Sequence, residues 1–413
     1  MTWRQLLPIL LTILLGHIGF SMVLPIFPIW VIDVSPIVIA GHTFLSNSSM
    51  RLGILVAMYP LGQCISSPIF GKLSDRFGRR PVLLISLLGI IPSHFLTMFS
   101  VMKGNLLLVI IFRFICGVFE GNLVIAQAAI LDFEQGHAER VRNFGSLIAT
   151  SSIGFIIGPI LGGILSNQKF SPLFNYSTPF GAAGLLSIIT LLTVYFLFAE
   201  TKKTGFLHSL TWKKILSSYY MGFRFPGLRP IYILNFFLSL SVFFFLEFFP
   251  VMLVQRFDFN SYKLGFTTAY LSIPIFLAPF ILKRISKRFP SERLLQYTAL
   301  LFSLFLILFV HSPALLFLFI ALFFLGLCIA TIFTFTPLLI ATRVDSAIQG
   351  ETLGLNQSVQ VFSEAVSGII GGILAVIIIT IPIYLAAVIV GICGVALFLS
   401  LIHISEPTRP LYI

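Results

Sequence analysis

The chain has 413 residues, of which 58% are hydrophobic and only 10% charged, with a mean hydropathy of +1.04. A soluble domain of this length must show more polar surface to water, so the composition excludes one and describes an integral membrane protein. The formal charge of +12 does not point to nucleic acid, because the basic residues fall in short loops between apolar runs and not on one face or tail. Cys64, Cys116, Cys328 and Cys393 lie singly in apolar runs without a neighbouring histidine, which supports neither a disulfide framework nor a metal site.

Taken in chain order, apolar runs long enough to cross about 30 Å of hydrocarbon stand near 6–32, 51–71, 81–101, 105–130, 145–166, 178–199, 231–255, 264–282, 294–310, 313–341, 354–379 and 381–402. The first is too long for a signal-peptide core and lacks a small-residue cleavage pattern, so it is expected to remain as a span. Placing both termini in the cytoplasm assigns 20 lysines and arginines to cytoplasmic segments and 5 to the other side, leaving Arg113 alone within the membrane. The expected architecture is all-α: twelve transmembrane helices in two six-helix halves, 1–199 and 231–404, joined by a cytoplasmic linker at 200–230. In that linker Trp212, Ile215, Leu216, Tyr219 and Tyr220 recur at helical spacing, the pattern of a short helix on the membrane surface. Residues 405–413 change composition abruptly, read as a non-native scar, and are assigned no function.

The halves echo each other. Arg51-Leu52-Gly53 and Arg76-Phe77 recur in one common register as Lys263-Leu264-Gly265 and Arg288-Phe289, the mark of a parallel repeat. In the second copy Lys283 stands for Gly71 and Lys287 for Asp75, so that loop keeps its basic character and loses its acid.

Residues 71–81, with Gly71, Asp75, Arg76, Gly78, Arg79 and Arg80, pack five charges and two glycines between two apolar runs. Glycine permits a sharp turn, Asp75 is suited to a positive helix N-terminus, and the arginines hold the loop at the cytoplasmic side. This stretch resembles the loop between helices 2 and 3 of major facilitator superfamily transporters. Arg113 with Gly117 is similar to the family's membrane-embedded arginine motif. Gly154, Gly158, Pro159, Gly162 and Gly163 resemble the antiporter signature of the fifth span, and Gly19, Pro25 and Pro28 the proline pair of drug exporters. Glycine-mediated packing alone would explain the former, and a simple bend the latter.

The resemblance is nearest to the twelve-span drug:proton antiporters of the tetracycline-exporter type. It implies alternating access in the inner membrane by a monomer in contact with lipid, small-molecule substrate and protons, without cofactor or nucleic acid. Tetracycline exporters carry acids in spans one and three, where this chain has His17 and the Ser93-His94 neighbourhood, which makes tetracycline itself a poor expectation. Proton-coupled import of a nutrient or osmolyte, and narrow export of a metabolite or siderophore, remain as alternatives. A non-transporting sensor would need a signalling segment, and an enzyme or ATP-driven pump would need motifs such as H-E-x-x-H or the P-loop, which the sequence lacks.

Each ionisable group inside a bilayer costs about 2.5–3.5 kcal/mol on insertion scales, so each needs a partner or a task. Arg113 and Glu120, seven apart, are expected on one helix face roughly 10 Å from each other, with Glu120 either a proton or cation site or a structural partner of Arg113. Glu364 forms a stripe with Asn356, Gln360, Ser363 and Ser367, and Gln357 shares its face; either interhelical bonding or coupling would account for it. Glu247 in the phenylalanine-rich seventh span and His17 in the first complete the coupling candidates. Asp132, Arg140 and Arg142, before the fifth span, are expected to pair as a cytoplasmic gate. The 45 phenylalanines are expected to be packing bulk.

Overall fold

The computed structural model describes residues 3–39, 42–120, 122–132, 137–201, 228–286, 288–341, 343–344 and 349–403. The proposed surface helix of the linker and the tail at 405–413 lie outside them.

Every apolar run carries helix, and asparagine side chains at Asn47, Asn105 and Asn260 cap three of the helix starts. The first run is not one helix as expected: α1 (Trp3–Ser21) gives way to tight turns, and α2 (Phe27–Asp33) restarts with Pro28 in its first turn, where a missing N–H costs nothing. A two-stranded hairpin, β1 (Ile37–Ile39) and β2 (His42–Phe44), precedes α3 (Ser48–Phe77), whose first turn is capped by Asn47 Oδ1 accepting from the Ser49 N–H at 2.8 Å. There follow α4 (Arg79–Met102), α5 (Leu106–Phe119), α6 (Asn122–Leu131), α7 (His137–Leu165) and α8 (Thr178–Leu197). The second half holds α9 (Arg229–Phe257), α10 (Ser261–Ile285), α11 (Ser291–Val310), α12 (Leu315–Ala341), α13 (Gln349–Ile377) and α14 (Ile381–His403). Among the described residues ten helical segments, with α5–α6 counted as one, are long and apolar enough to cross a membrane; Leu6–Ser21 and Ala149–Leu165 are shorter apolar helices.

Phenylalanine does pack the second half: Phe245 stacks on Phe249 at 5.1 Å and meets Phe302 and Phe309 edge-on, all four essentially buried. Two arginines near helix termini, Arg51 in the first turn of α3 and Arg256 in the last turn of α9, finish the ends of neighbouring helices. Arg51 donates to the Val34 carbonyl at 2.6 Å, and Arg256 donates to the carbonyls of Val310 and Ser312, where the helix dipole favours a cation.

The halves meet chiefly along two helix pairs, α3 with α13 and α7 with α10. Both crossings are backbone against backbone. A methyl group at Gly53 would strike the Gly368 carbonyl and lie 2.6 Å from Gly372 Cα; one at Gly163 would lie 2.8 Å from the Ser261 carbonyl, and one at Gly265 would strike the Pro159 carbonyl. Gly53 and Gly265 are the repeat-related pair, and each seats on two small positions four apart in the other half. The glycine stretch of α7 thus serves two partners. Gly154, Gly158 and Gly162 face α1, where added methyls would collide with His17, Ser21 and Met22, while Pro159 and Gly163 face α10. At the second crossing Ser166 Oγ donates to Ser261 Oγ at 2.8 Å, and the rings of Phe170 and Tyr262 lie 5.2 Å apart. Both crossings lie far from residue 71; about 27 Å of helix axis separates Gly53 from Gly71 at 1.5 Å per residue.

Gly53→Val is expected to destabilise the folded protein by about 1–3 kcal/mol through overpacking at a site that cannot yield. Gly354→Ala, with nothing within 4 Å of the added methyl, should be neutral or stabilising by up to about 1 kcal/mol. Thermal unfolding of purified protein in detergent distinguishes the two.

Candidate functional site

Residues 71–81 are mostly helix. Gly78 is the entire turn, ending α3 and starting α4 with φ +97°, a backbone region that favours glycine. Gly71, by contrast, sits inside α3, where an added methyl would rest in ordinary contact 3.8 Å from Val124, so the sharp turn belongs to Gly78. Nor does Asp75 cap the next helix. Glu200, just beyond α8, accepts from the backbone N–H groups of Arg79 (2.8 Å) and Arg80 (3.1 Å), satisfying two of the orphan donors of the α4 N-terminus with a full negative charge.

Arg79 is 4% exposed and is the centre of this node. Its Nε and Nη2 donate to both carboxylate oxygens of Asp132, at 2.7 and 3.0 Å, and Nη1 donates to Ser74 Oγ at 2.6 Å. Asp75, exposed, lies 3.0 Å from Nη2, and Thr201 Oγ1 adds a donor to Asp132 at 3.0 Å. Asp132 of the expected cytoplasmic gate pairs with Arg79. The side chains of Arg140 and Arg142 lie outside the described residues. Arg76 is exposed over the Phe77 ring, and Arg80 donates to the Tyr195 carbonyl at 2.6 Å.

The fourth span is broken where a continuous helix was expected. α5 stops at Phe119, Glu120 takes φ −77°, ψ 57°, and α6 restarts at Asn122. The freed carbonyls are satisfied: Gly117 accepts from Ser66 Oγ and the Glu120 N–H, and Phe119 accepts from Ser86 Oγ at 2.6 Å, as irregular backbone in a membrane requires. The simple seven-residue spacing of Arg113 and Glu120 on one helix face therefore does not hold. Arg113 is boxed by rings, 4.6 Å from the Tyr59 centroid and 5.3 Å from Phe27, and its Nε and Nη1 find no acceptor. Tyr59 in turn hydrogen-bonds Glu120. Gly62 and Gly117 make this possible, since bare backbone lets α3 and α5 touch at Tyr59. Arg113, Glu120, Tyr59 and the buried His94 border a water-sized chamber of about 10 Å³ inside the first half.

A larger cavity of about 480 Å³ lies between the halves. His17, Glu120, Glu247, Gln360 and Glu364 all border it, as do Gln357 and Pro28; Arg113 and Asn356 do not. The Nδ1–H of His17 donates to the Ile13 carbonyl at 2.8 Å and its ring meets Phe155 at 5.3 Å. The stripe of α13 divides: Asn356 turns to α9 and accepts from Asn235 Nδ2 at 2.8 Å, while Gln360 and Glu364 face the cavity. Asn235, Gln63 and Tyr59 were missed in the sequence, although Asn235 and Gln63 are polar residues in apolar helices. Also missed was the small-residue pair Gly368 and Gly372, a G-x-x-x-G spacing in α13.

The sequence matches the Major Facilitator Superfamily model over residues 9–362 and 266–411. It is 36% identical over 193 residues to the class B tetracycline resistance protein of Escherichia coli, covering 46% of this chain and 43% of that one. It is 28% identical over 202 residues to the quinolone resistance protein NorA of Staphylococcus aureus, covering 49% and 47%. The chain thus matches less than half the length of these relatives. Among solved structures, a D-xylose–proton symporter superposes with a TM-score of 0.76 at 13% identity, covering 96% of this chain and 97% of that one. The human organic anion transporter MFSD10 (TETRAN) gives 0.73 at 17%, covering 95% and 99%. Both likenesses speak for the fold alone.

Asp132→Asn should cost about 3 kcal/mol, because it strips the buried Arg79 guanidinium of its bidentate partner. Glu200→Ala should cost about 1 kcal/mol as a lost cap, and Asp75→Asn, exposed, less than about 1 kcal/mol. The order of the three in thermal unfolding checks the node.

Proposed function

The chain belongs to the major facilitator superfamily, and from that membership we propose a secondary active transporter of the inner membrane, with both termini cytoplasmic, that exports small lipophilic or cationic compounds in exchange for protons. The observation that carries this reading is the cavity shared by the two halves, walled largely by apolar and aromatic side chains yet bordered by carboxylates from both: Glu120 from the first half, Glu247 and Glu364 from the second. The resistance proteins that match part of the chain support export.

The mechanism follows from where the charges sit. A carboxylate facing an apolar cavity is costly as a bare ion, so it holds a proton or a cation. Export by antiport results when the same group exchanges one for the other as the cavity alternates between the two sides. Arg113 and Glu120 belong to one span and move together. Arg113 and Glu364 belong to different halves, and the field of the arginine reaches Glu364 across the cavity. Rocking about the glycine crossings changes that separation, and in a cavity of low polarity the change is weakly screened. Proton release from the second half is thereby tied to the movement of the halves. In this reading the crossings at Gly53 and Gly163 belong to the outer end of the bundle and the residue 71–81 turn to the cytoplasmic end. The transporter works as a monomer.

Expression in cells stripped of their own exporters should lower accumulation of dyes or antibiotics several-fold, and a protonophore should restore it. Glu120→Gln and Glu364→Gln should each reduce proton-driven efflux at least tenfold at normal expression. Full efflux in both single variants and in the double variant would show that these carboxylates do not carry coupling.

A further inference from the structure

The carboxylates of the two halves are not in equivalent surroundings. Glu120 shares its environment with the Tyr59 hydroxyl and, across the small chamber, with Arg113. Among the described residues, none donates a hydrogen bond to the two buried carboxylate oxygens of Glu247. Ser367, the hydroxyl beside it, gives its proton to the Glu364 carbonyl at 2.9 Å. Glu364 and Glu247 feel each other's charge, and the cation whose field reaches Glu364, Arg113, stands in the other half behind the rings of Tyr59 and Phe27. Among the described residues no lysine or arginine borders the cavity.

A second observation points to a ligand at the same corner. Gln360, one turn before Glu364 on α13, is 9% exposed, borders the cavity, and has an amide Nε2 with no acceptor. A buried amide donor left open costs about 1–3 kcal/mol, and it is one turn from carboxylates that lack a cation. The complement of this corner is a positive charge flanked by a hydrogen-bond acceptor. Phe243 and Phe333, 5.9 Å apart between ring centres and both on the cavity wall of the same half, supply faces for a flat body and for cation–π contact.

We propose that Glu247, Gln360 and Glu364 form the head-group subsite of the cavity, taking a monovalent organic cation with an acceptor group beside its charge, and that Glu120 in the first half lies outside this subsite. The assignment rests on the transporter reading for its purpose, and its test reads binding directly. Anions are rejected by two carboxylates, and neutral compounds gain only the aromatic wall.

The test is equilibrium binding of ethidium, tetraphenylphosphonium and berberine to purified full-length protein in detergent, with neutral chloramphenicol and anionic fluorescein for comparison. At least one of the cations should bind at least tenfold more tightly than either comparison compound. Glu247→Gln and Glu364→Gln should each weaken that binding at least tenfold, and by more than Glu120→Gln does, whereas Glu247→Asp should recover most of it. Gln360→Leu should discriminate against berberine, which carries ether oxygens, more than against tetraphenylphosphonium, which has none. Thermal unfolding confirms that each variant is folded, and Glu247→Met or Glu364→Met replaces a glutamine variant that is not. The proposal is overturned if no cation binds, if the neutral or anionic probe binds as tightly, or if the Glu120 variant loses as much as the other two. Cation binding that obeys this pattern without efflux in cells would leave the subsite standing and remove the transporter reading. Efflux in cells with cation binding indifferent to Glu247 and Glu364 would do the reverse.

Discussion

Backbone packed directly on backbone, where α3 crosses α13 and α7 crosses α10, is the constraint on which the rest depends. Lipid offers no hydrophobic drive between helices, so association relies on close van der Waals approach, and that approach requires residues without side chains. Gly53 on the Gly368/Gly372 pair, and Gly265 on Pro159 and Gly163, meet this requirement in repeat-related positions. At both crossings the nearest neighbours of the glycines are mostly backbone atoms of the other half, so the contact surface there is formed mainly by main chain. α7 has the most demanding role: one glycine face grips α1 and the adjacent positions grip α10, so it links a wall of its own half to the other half.

The sparse charges are distributed with corresponding economy. In the first half, Arg79 gathers Asp75, Ser74 and Asp132, and Glu200 caps α4, so that α3, α4, the end of α6 and the start of the linker meet at one turn. In the second half, where lysines replace Gly71 and Asp75, the described residues include an ion pair of Arg343 with Glu292 at 3.7 Å, partly exposed and worth little in such a setting. The repeats have diverged in sequence at this end. They have diverged in the membrane too, with a cation boxed by aromatic rings in one half and two carboxylates without a local cation in the other.

Several features were legible because they follow from short-range rules. The apolar runs, the basic loops and the duplicated register can be read residue by residue, and the fold follows from them once the family pattern is seen. Gln360, Glu364, Glu247, Glu120 and His17 could be singled out because a polar group in a membrane helix is costly wherever it faces. What failed were assumptions of continuity and of nearness. The break at Glu120 was hidden because periodicity was carried through it, although Gly117 and Gly121 flank the position. Asp75 was given the helix cap because it is close in the chain, whereas Glu200 lies 121 residues away from Arg79.

The sequence by itself determined that this chain lives in a membrane as two repeated halves, and which few residues carry polarity there, because burial of backbone and charge in hydrocarbon is expensive whatever the partners. Tertiary structure alone decided which of those residues meet. Asp132 goes to Arg79, Asn356 turns away to Asn235, and Arg113 is kept out of the cavity by Tyr59 and Phe27, because a helix fixes only the direction of a side chain and the neighbouring helix determines what lies in that direction.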